Sequence, residues 1–356
     1  MPMDESRINE LRKALLKHEL DALLITSPAN IRYISGFTAG ADARLLLTLE
    51  DQYIFTDSRY REQVVLECPS WNYQEEKPQG LEQLGKKAPG LHKIGFEALH
   101  VSYAFYQKMS RIKPVIWEPV AGLIEALRSI KTPAELDRLR AAARIGDEVF
   151  AAILPMIRAG AEEKSLADTI VHLLRQKGCE KEAFDAIVVA GENAALPHGR
   201  PGKRVLFPGD MVTLDFGGIF EGYAGDMTRT VAINPPPQGY KDIYQKVSEA
   251  QQVGLDSIKA GVSCREVDQQ VRHCLQKHGL DQFFTHGTGH GVGLEIHERP
   301  TLSSNSEDTL MENMVVTVEP GVYIPGWGGI RIEDTVIVTK NGVEIITQSS
   351  KELLIL

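Results

Sequence analysis

Five residues of metal-ligand type lie in the C-terminal half of this 356-residue chain. In chain order they are Asp215, Asp226, His290, Glu319 and Glu333. Each lies in a short apolar or glycine-rich segment, and carboxylates directed inward from apolar strands would be very costly to bury without a cation. The pattern therefore predicts a metal site whose ligands are these side chains.

The charge of this ligand set favours two metal ions over one. Four ionised carboxylates carry −4 and a neutral His290 adds nothing, so one divalent ion leaves −2 and two reach neutrality. Paired divalent ions bridged by carboxylates are a common hydrolytic arrangement. Oxygen-rich ligation with a single imidazole favours Mn²⁺, Co²⁺ or Fe²⁺ over a structural zinc, and softness alone does not choose among these ions. We expect Mn²⁺, with Co²⁺, Fe²⁺ or Zn²⁺ as alternatives.

The first two ligands are expected on a β-hairpin. Strand-like segments over Met211–Phe216 and Tyr223–Ile233 are separated by glycines, which are turn residues. A hairpin centred near Phe220 places Asp215 directly opposite Asp226 on one face. Opposed like charges destabilise a sheet, and a cation between them would reverse that effect.

The last two ligands are expected on neighbouring strands. Glu319 follows the β-rich segment Met314–Val318. A continuous strand over Gly329–Thr339 would place Arg331 and Glu333 on one face, because side chains alternate along a strand. We expect Arg331 to pair with a ligand or to anchor substrate, and we favour the ion pair.

Three further histidines could contact a substrate. His198 lies in a Pro-His-Gly segment, and His286 and His297 flank His290 in a glycine-rich stretch. That stretch has Val292 where a dinucleotide fingerprint would need glycine. We interpret its glycines as thin backbone that lets substrate approach the metal.

Composition excludes several classes of function. With 39 basic and 48 acidic residues the net charge is −9, which disfavours nucleic-acid binding. The first 20 residues have the pattern of an amphipathic helix rather than a signal peptide, and no apolar run is long enough to span a membrane. The four cysteines lack CxxC spacing, so we expect reduced thiols in a cytoplasmic protein.

Two domains are predicted, residues 1–128 and 129–356. The first alternates helix-like and strand-like segments, which is typical of an α/β domain, and it has no phosphate-binding loop. The second begins with a capping box, in which Thr132 is the N-cap and Glu135 closes the box.

The second domain is predicted to repeat one unit. Helices are expected over residues 133–158, 162–177, 241–260 and 263–278, the last with a capping box from Ser263 and Glu266. Each pair of helices is followed by strands, which indicates a duplicated helix-helix-strand unit of α+β class.

Several motifs in fixed order carry a family resemblance. They are ALPHG around His198, DMTRT from Asp226, HGTGHGVGLEIHE from His286, VEPGVY around Glu319 and GIRIED up to Glu333 and its neighbour. This set resembles the metallopeptidases of the creatinase/aminopeptidase fold, called pita-bread. Within that fold the chain is similar to the Xaa-Pro peptidases, prolidase and aminopeptidase P, and NIRYISGF and FTDSRY in the first domain agree with this.

The resemblance implies a role for each site residue. The five residues named first would bind two metal ions, and Glu319 would also transfer protons. His198 and His297 would contact substrate and stabilise the tetrahedral intermediate, while His286 and Arg331 would shape the proline-side pocket or support ligands. The implied substrate is a small peptide with proline second, and the implied assembly is a homodimer.

Among the alternatives we favour an Xaa-Pro dipeptidase, because the chain is compact with one modest N-terminal domain. Aminopeptidase P, which acts on longer peptides, stays open. A methionine aminopeptidase is less favoured since it usually lacks such a domain. Metal-free hydrolysis and a non-catalytic binding protein of the same fold are disfavoured because all five ligand positions are filled.

Overall fold

A computed structural model describes residues 5–77, 81–87 and 90–356. The chain divides into two compact units, Met1–Arg128 and Ser129–Leu356. The start of the predicted N-terminal helix, residues 1–4, lies outside the described residues. Within the described ranges, every helix is too short or too polar to span a bilayer. All four cysteines are free and buried.

The first unit is built around a six-stranded mixed sheet in the order β4-β3-β2-β1-β5-β6. The inner strand β1 is buried along its whole length, which explains why that segment is uniformly apolar. The α/β class predicted for this unit is confirmed. Its elements are α1 Glu5–Lys17, β1 Ala22–Ile25, α2 Pro28–Ser35, β2 Ala43–Thr48, β3 Gln52–Thr56, α3 Arg61–Glu67, β4 Asn72–Glu75, α4 Glu82–Lys87, β5 Lys93–Glu97, α5 Tyr103–Met109, β6 Ile116–Val120 and α6 Leu123–Ser129.

The second unit repeats a helix pair followed by strands, as predicted. The first half contains α7 Pro133–Ile153, α8 Glu163–Gln176, β7 Lys181–Glu182, β8 Ile187–Ala190, β9 Met211–Phe216, β10 Gly218–Phe220, β11 Tyr223–Ala224 and β12 Met227–Ala232. The second half contains α9 Tyr240–Ser257, α10 Cys264–Lys277, β13 Gly289–Gly291, β14 Glu298–Leu302, β15 Val315–Val318, β16 Gly321–Ile324, β17 Gly328–Arg331, β18 Asp334–Val338 and β19 Val343–Ile345. The main sheets run in the orders β12-β9-β8 and β14-β13-β15-β18-β19.

Two helix predictions need correction. The helix that begins at Thr132 has the predicted capping box, but it ends at Ile153 instead of Arg158. Pro155 lacks an N–H, and the chain tightens into a 3-10 turn there. The capping box at Ser263 is wrong, since its side chain makes no capping bond. The first N–H of α10, from Cys264, instead donates to a backbone carbonyl of a neighbouring segment.

The predicted continuous strand over Gly329–Thr339 is also wrong. β17 ends at Arg331 and pairs with β16, whereas β18 begins at Asp334 and pairs with β15. Glu333 lies at the break, where its N–H donates to the carbonyl of Thr228 at 3.2 Å. The chain thus moves from one sheet to another at Glu333. Its backbone N–H belongs to neither ladder and bonds to β12 instead.

Candidate active site

One cavity of about 460 Å³ in the second unit brings together every site residue predicted from the sequence. Its volume is in the range of small-ligand sites. The nine predicted residues in its wall are His198, Asp215, Asp226, His286, His290, His297, Glu319, Arg331 and Glu333.

The hairpin that carries the first two acids turns one residue later than predicted. Its turn is formed by Glu221 and Gly222, whose φ values of 46° and 87° are typical of a type I′ hairpin turn. The strand register consequently pairs Asp215 with Thr228 instead of Asp226. A register change of two residues preserves the face of each side chain, so Asp226 lies diagonally from Asp215 on the same side.

Three of the acids form a tight cluster. Asp215, Asp226 and Glu333 each offer a carboxylate oxygen within 4.8 Å of the others. Asp226 and Glu333 are only 5% and 2% exposed. The donors that reach the cluster include Arg331, 2.5 Å from Asp215, and the Thr228 hydroxyl, 2.7 Å from Glu333. The Oδ1 atom of Asp215 is buried and has no hydrogen-bond donor among the described residues.

The protonation of these acids reflects their surroundings. Burial raises the pKa of Asp226 and of Glu333 well above the usual range, and repulsion from the neighbouring carboxylates adds to the effect. Burial likewise raises the pKa of Glu319 to about 7. Full ionisation would therefore place more negative charge in the cluster than its protein environment balances, and a divalent cation would remove that excess.

His290 directs a lone pair into this cluster. Its Nδ1–H donates to the carbonyl of Gly291 at 3.1 Å, because that oxygen can only accept. Its Nε2 then faces Glu319 at 3.3 Å and Asp226 at 3.6 Å. Burial lowers the pKa of His290 to about 4, so the ring is neutral at physiological pH. A lone pair beside two carboxylates fits a shared cation, and the donor set of oxygens with one nitrogen suits a divalent metal.

The glycines around His290 are explained mainly by strand packing. A Cβ on Gly289 would lie 2.0 Å from the carbonyl oxygen of Thr317, and one on Gly291 would lie 2.4 Å from that of Arg299. The short strand β13 is squeezed between β14 and β15. The nearest neighbours of both positions are backbone atoms of the adjacent strands, so the expected role of these glycines in making room for substrate is secondary to strand packing.

A hydrogen-bond chain connects Arg331 to His286. Arg331 donates to the hydroxyl of Tyr323 at 2.8 Å, and it also donates to the carbonyl of Pro197, which precedes His198. The Nδ1–H of His286 donates to a backbone carbonyl, so its Nε2 accepts from the Tyr323 hydroxyl at 2.8 Å. The favoured expectation for Arg331, an ion pair with a ligand, matches its contact with Asp215.

The two remaining histidines lie at the exposed side of the cavity. The ring of His297 packs edge-on against that of His290, with centroids 4.3 Å apart. His198 and His297 are both exposed to solvent. Two imidazoles are thus accessible to a bound molecule next to the acid cluster, and neither has to leave a core position to reach it.

Sequence reasoning missed three residues that hold the site. Tyr323 lies in the cavity wall, Thr228 donates to Glu333, and Thr317 accepts from the N–H of His290 and donates to Glu319 at 3.3 Å. Each is a hydroxyl residue two to four positions from a predicted ligand in an apolar strand. That spacing was visible in the sequence, although it does not reveal which ligand the hydroxyl contacts.

Comparisons with known proteins agree on one family. Residues 137–340 match the model of metallopeptidase family M24, and residues 7–130 match the creatinase/prolidase N-terminal domain. A curated Xaa-Pro dipeptidase from Pyrococcus horikoshii is 33% identical over 99% of this chain and 100% of its own length.

Solved structures give the same result. An Xaa-Pro dipeptidase from Bacillus anthracis superposes with a TM-score of 0.96 at 40% identity, covering 99% of both chains. An X-Pro aminopeptidase from Thermotoga maritima superposes with a TM-score of 0.88 at 33% identity, covering 95% of this chain and 98% of that one.

Proposed function

Because this chain belongs to metallopeptidase family M24 and also carries a creatinase/prolidase N-terminal domain, we propose that it is an Xaa-Pro dipeptidase. The single observation that carries the proposal is the cavity in which an acid cluster of metal-ligand geometry adjoins exposed imidazoles. The names of the similar Pyrococcus horikoshii and Bacillus anthracis proteins support the choice of substrate.

Divalent metal use follows from the family, and the number and kind of ions are part of the proposal. We assign the ligands to Asp215, Asp226, His290, Glu319 and Glu333, with two ions to balance four carboxylates. Mn²⁺ is the favoured ion because the donor set is rich in oxygen. When bound, the ions would lower the pKa of water and supply the nucleophile.

The side chains of the cavity would perform the remaining steps. Glu319 is assigned the proton transfer because its carboxylate lies in the cavity wall, 3.3 Å from the Nε2 atom of His290. We propose that it protonates the prolyl nitrogen, which carries no N–H and departs as an amine. His198 and His297 would stabilise the oxyanion of the tetrahedral intermediate from the exposed side of the cavity.

His286 and Arg331 are proposed to form the proline side of the site. The Arg331–Tyr323–His286 chain fixes both side chains in place, and the contact of Arg331 with Pro197 fixes the segment that carries His198. Arg331 is therefore assigned to positioning Asp215 and this wall, because its side chain is buried and donates to Thr228, Pro197, Tyr323 and Asp215.

The test compares peptides of two lengths on Mn²⁺-loaded protein. We expect a higher kcat/KM for Ala-Pro than for Ala-Pro-Ala, measured as released alanine, with Ala-Ala and Met-Ala-Ser as controls for the proline requirement. Dominant cleavage of the tripeptide would identify the second candidate, aminopeptidase P, which the Thermotoga maritima structure keeps in view. Dominant cleavage of Met-Ala-Ser would overturn the proline specificity.

We also propose a homodimer, on the basis of the family resemblance. Light scattering during gel filtration tests it directly. A mass close to the 39.4 kDa of one chain would contradict the proposal.

A further inference from the structure

A second group of ligand-type residues lies where helices α9 and α10 pack together. Glu249, Cys274 and His278 each offer one ligand atom, and these atoms lie within 4.8 Å of one another. Cys274 and His278 are four residues apart, so they share one face of α10, and Glu249 reaches them from α9. None of these residues belongs to the cavity described above.

We propose that Glu249, Cys274 and His278 form a second metal site, selective for thiophilic divalent ions and occupied by Zn²⁺. A thiolate, an imidazole and a carboxylate are the three donor types that zinc uses in proteins. The oxygen-rich cluster of the cavity contains no cysteine, so the two sites differ in the softness of their donors.

The geometry of the three donors suits tetrahedral coordination with one open position. The Nε2 atom of His278 and the Oε2 atom of Glu249 are 2.9 Å apart, so a small outward rotation would give the spacing of two zinc ligands. Cys274 is 5% exposed and borders the apolar core, whereas the side chain of Glu249 is 59% exposed. Water can therefore complete the coordination from the solvent side.

The local charges favour a dication. A thiolate and a carboxylate together carry −2, which one divalent ion neutralises. His278 caps the C-terminal end of α10, where the helix dipole favours positive charge. Burial and the charge of Glu249 raise the pKa of the Cys274 thiol, and Lys277 offsets this only in part, so we expect the thiol to lose its proton when the ion binds.

The alternative is an ordinary hydrogen-bonded group without metal. In that case His278 and Glu249 form a surface pair, and Cys274 is a core thiol that bonds to Glu249. This arrangement and the zinc site predict different spectra, because only a metal-bound thiolate gives ligand-to-metal charge-transfer absorption.

Cd²⁺ is the probe, since it reports thiolate ligation in the ultraviolet. We titrate it into the full-length protein and expect charge-transfer absorption that saturates at one equivalent and is displaced by Zn²⁺. Cys274→Ser should abolish the band, and Glu249→Gln and His278→Gln should each weaken Cd²⁺ binding by at least about tenfold. Cys264→Ser is the matched control, because this buried thiol lies on the same helix and belongs to no group of three close ligand-type residues in the part of the chain that the structure describes.

Asp215→Ala separates this site from the cavity, and the band should persist in that variant. A wild-type protein without the band, or a band that survives Cys274→Ser, would overturn the proposal. If Cys274→Ser does not fold, Glu249→Gln and His278→Gln test the proposal instead. Unchanged Cd²⁺ affinity in both variants would reject the metal site.

Discussion

The acid cluster of the cavity and the Glu249–Cys274–His278 cluster are both groups of ligand-type residues, but they differ in burial. Asp226 and Glu333 are almost wholly removed from water, whereas Glu249 is exposed. Burying several carboxylates together is costly unless a cation compensates, while a surface acid keeps its hydration. We therefore expect the ionised first cluster to depend on a metal ion, whereas the second cluster can exist with or without one.

The largest expected effect comes from removing an acid of the buried cluster. Asp215→Ala and Glu333→Ala should each lower kcat/KM by about 10³-fold or more, because metal ions contribute several kcal/mol to hydrolysis. Bound Mn²⁺, measured by mass spectrometry of dialysed protein, should fall in parallel. Glu221→Gln, which changes an exposed acid at the turn of the same hairpin, is the matched control and should keep both. Full activity in either alanine variant would refute the ligand assignment.

The difference in burial also explains what the sequence could predict. Each acid of the cavity lies in or beside an apolar or glycine-rich segment, which makes it conspicuous. Glu249 and Cys274 occupy ordinary positions of two amphipathic helices and His278 caps the second, and only the packing of α9 on α10 brings the three together. No spacing in the chain indicates that contact.

Local backbone geometry was the second feature that could not be predicted from the sequence. The turn at Glu221–Gly222 and the change of sheets at Glu333 depend on pairing between strands distant in sequence. The misplaced hairpin turn did not change which face each side chain occupies, since it shifted the register by an even number of residues. At Glu333 the direction toward the cavity is instead fixed by bonds to Thr228, which strand periodicity does not contain.

A smaller effect is expected from the neutral contacts around the buried cluster. Tyr323→Phe removes the hydroxyl that joins Arg331 to His286, and the loss of a hydrogen bond to a charged group costs about 1.5–3 kcal/mol. We expect kcat/KM to fall by roughly 10- to 100-fold with Mn²⁺ content unchanged. Tyr240→Phe, which removes another buried hydroxyl bond, should leave kcat/KM near that of the wild type. Loss of metal in Tyr323→Phe would mean that the hydroxyl supports ligands instead of the substrate wall.

The buried cluster should also give the metal-free protein a characteristic pH dependence. The pKa of Glu319 is about 7 in the folded chain against an ordinary 4.5, so the folded state holds a proton that the unfolded state has released. The stabilising contribution is complete below pH 4.5 and is lost as the pH rises through 7. Asp226 and Glu333 act in the same direction.

In EDTA, we therefore expect the melting temperature to decrease as the pH is raised from 5 to 8. Bound Mn²⁺ should make the melting temperature depend less on pH. Glu319→Gln, which cannot ionise, should reduce the slope near pH 7. If the metal-free protein becomes more stable as the pH rises over this range, folding does not raise the pKa of these acids.

The smallest expected effect belongs to the surface cluster formed by Glu249, Cys274 and His278. A ligand at 100 times its Kd stabilises a folded protein by about 2.7 kcal/mol, which corresponds to roughly 5–10 °C for a unit of this size. We expect that part of the Zn²⁺-induced rise in melting temperature to disappear in Glu249→Gln and to persist in Glu266→Gln, an exposed acid at the other end of α10. Because Zn²⁺ can also enter the cavity, only the difference between these two variants reports on the surface cluster. Equal shifts in both would mean that the buried cluster alone couples metal to stability.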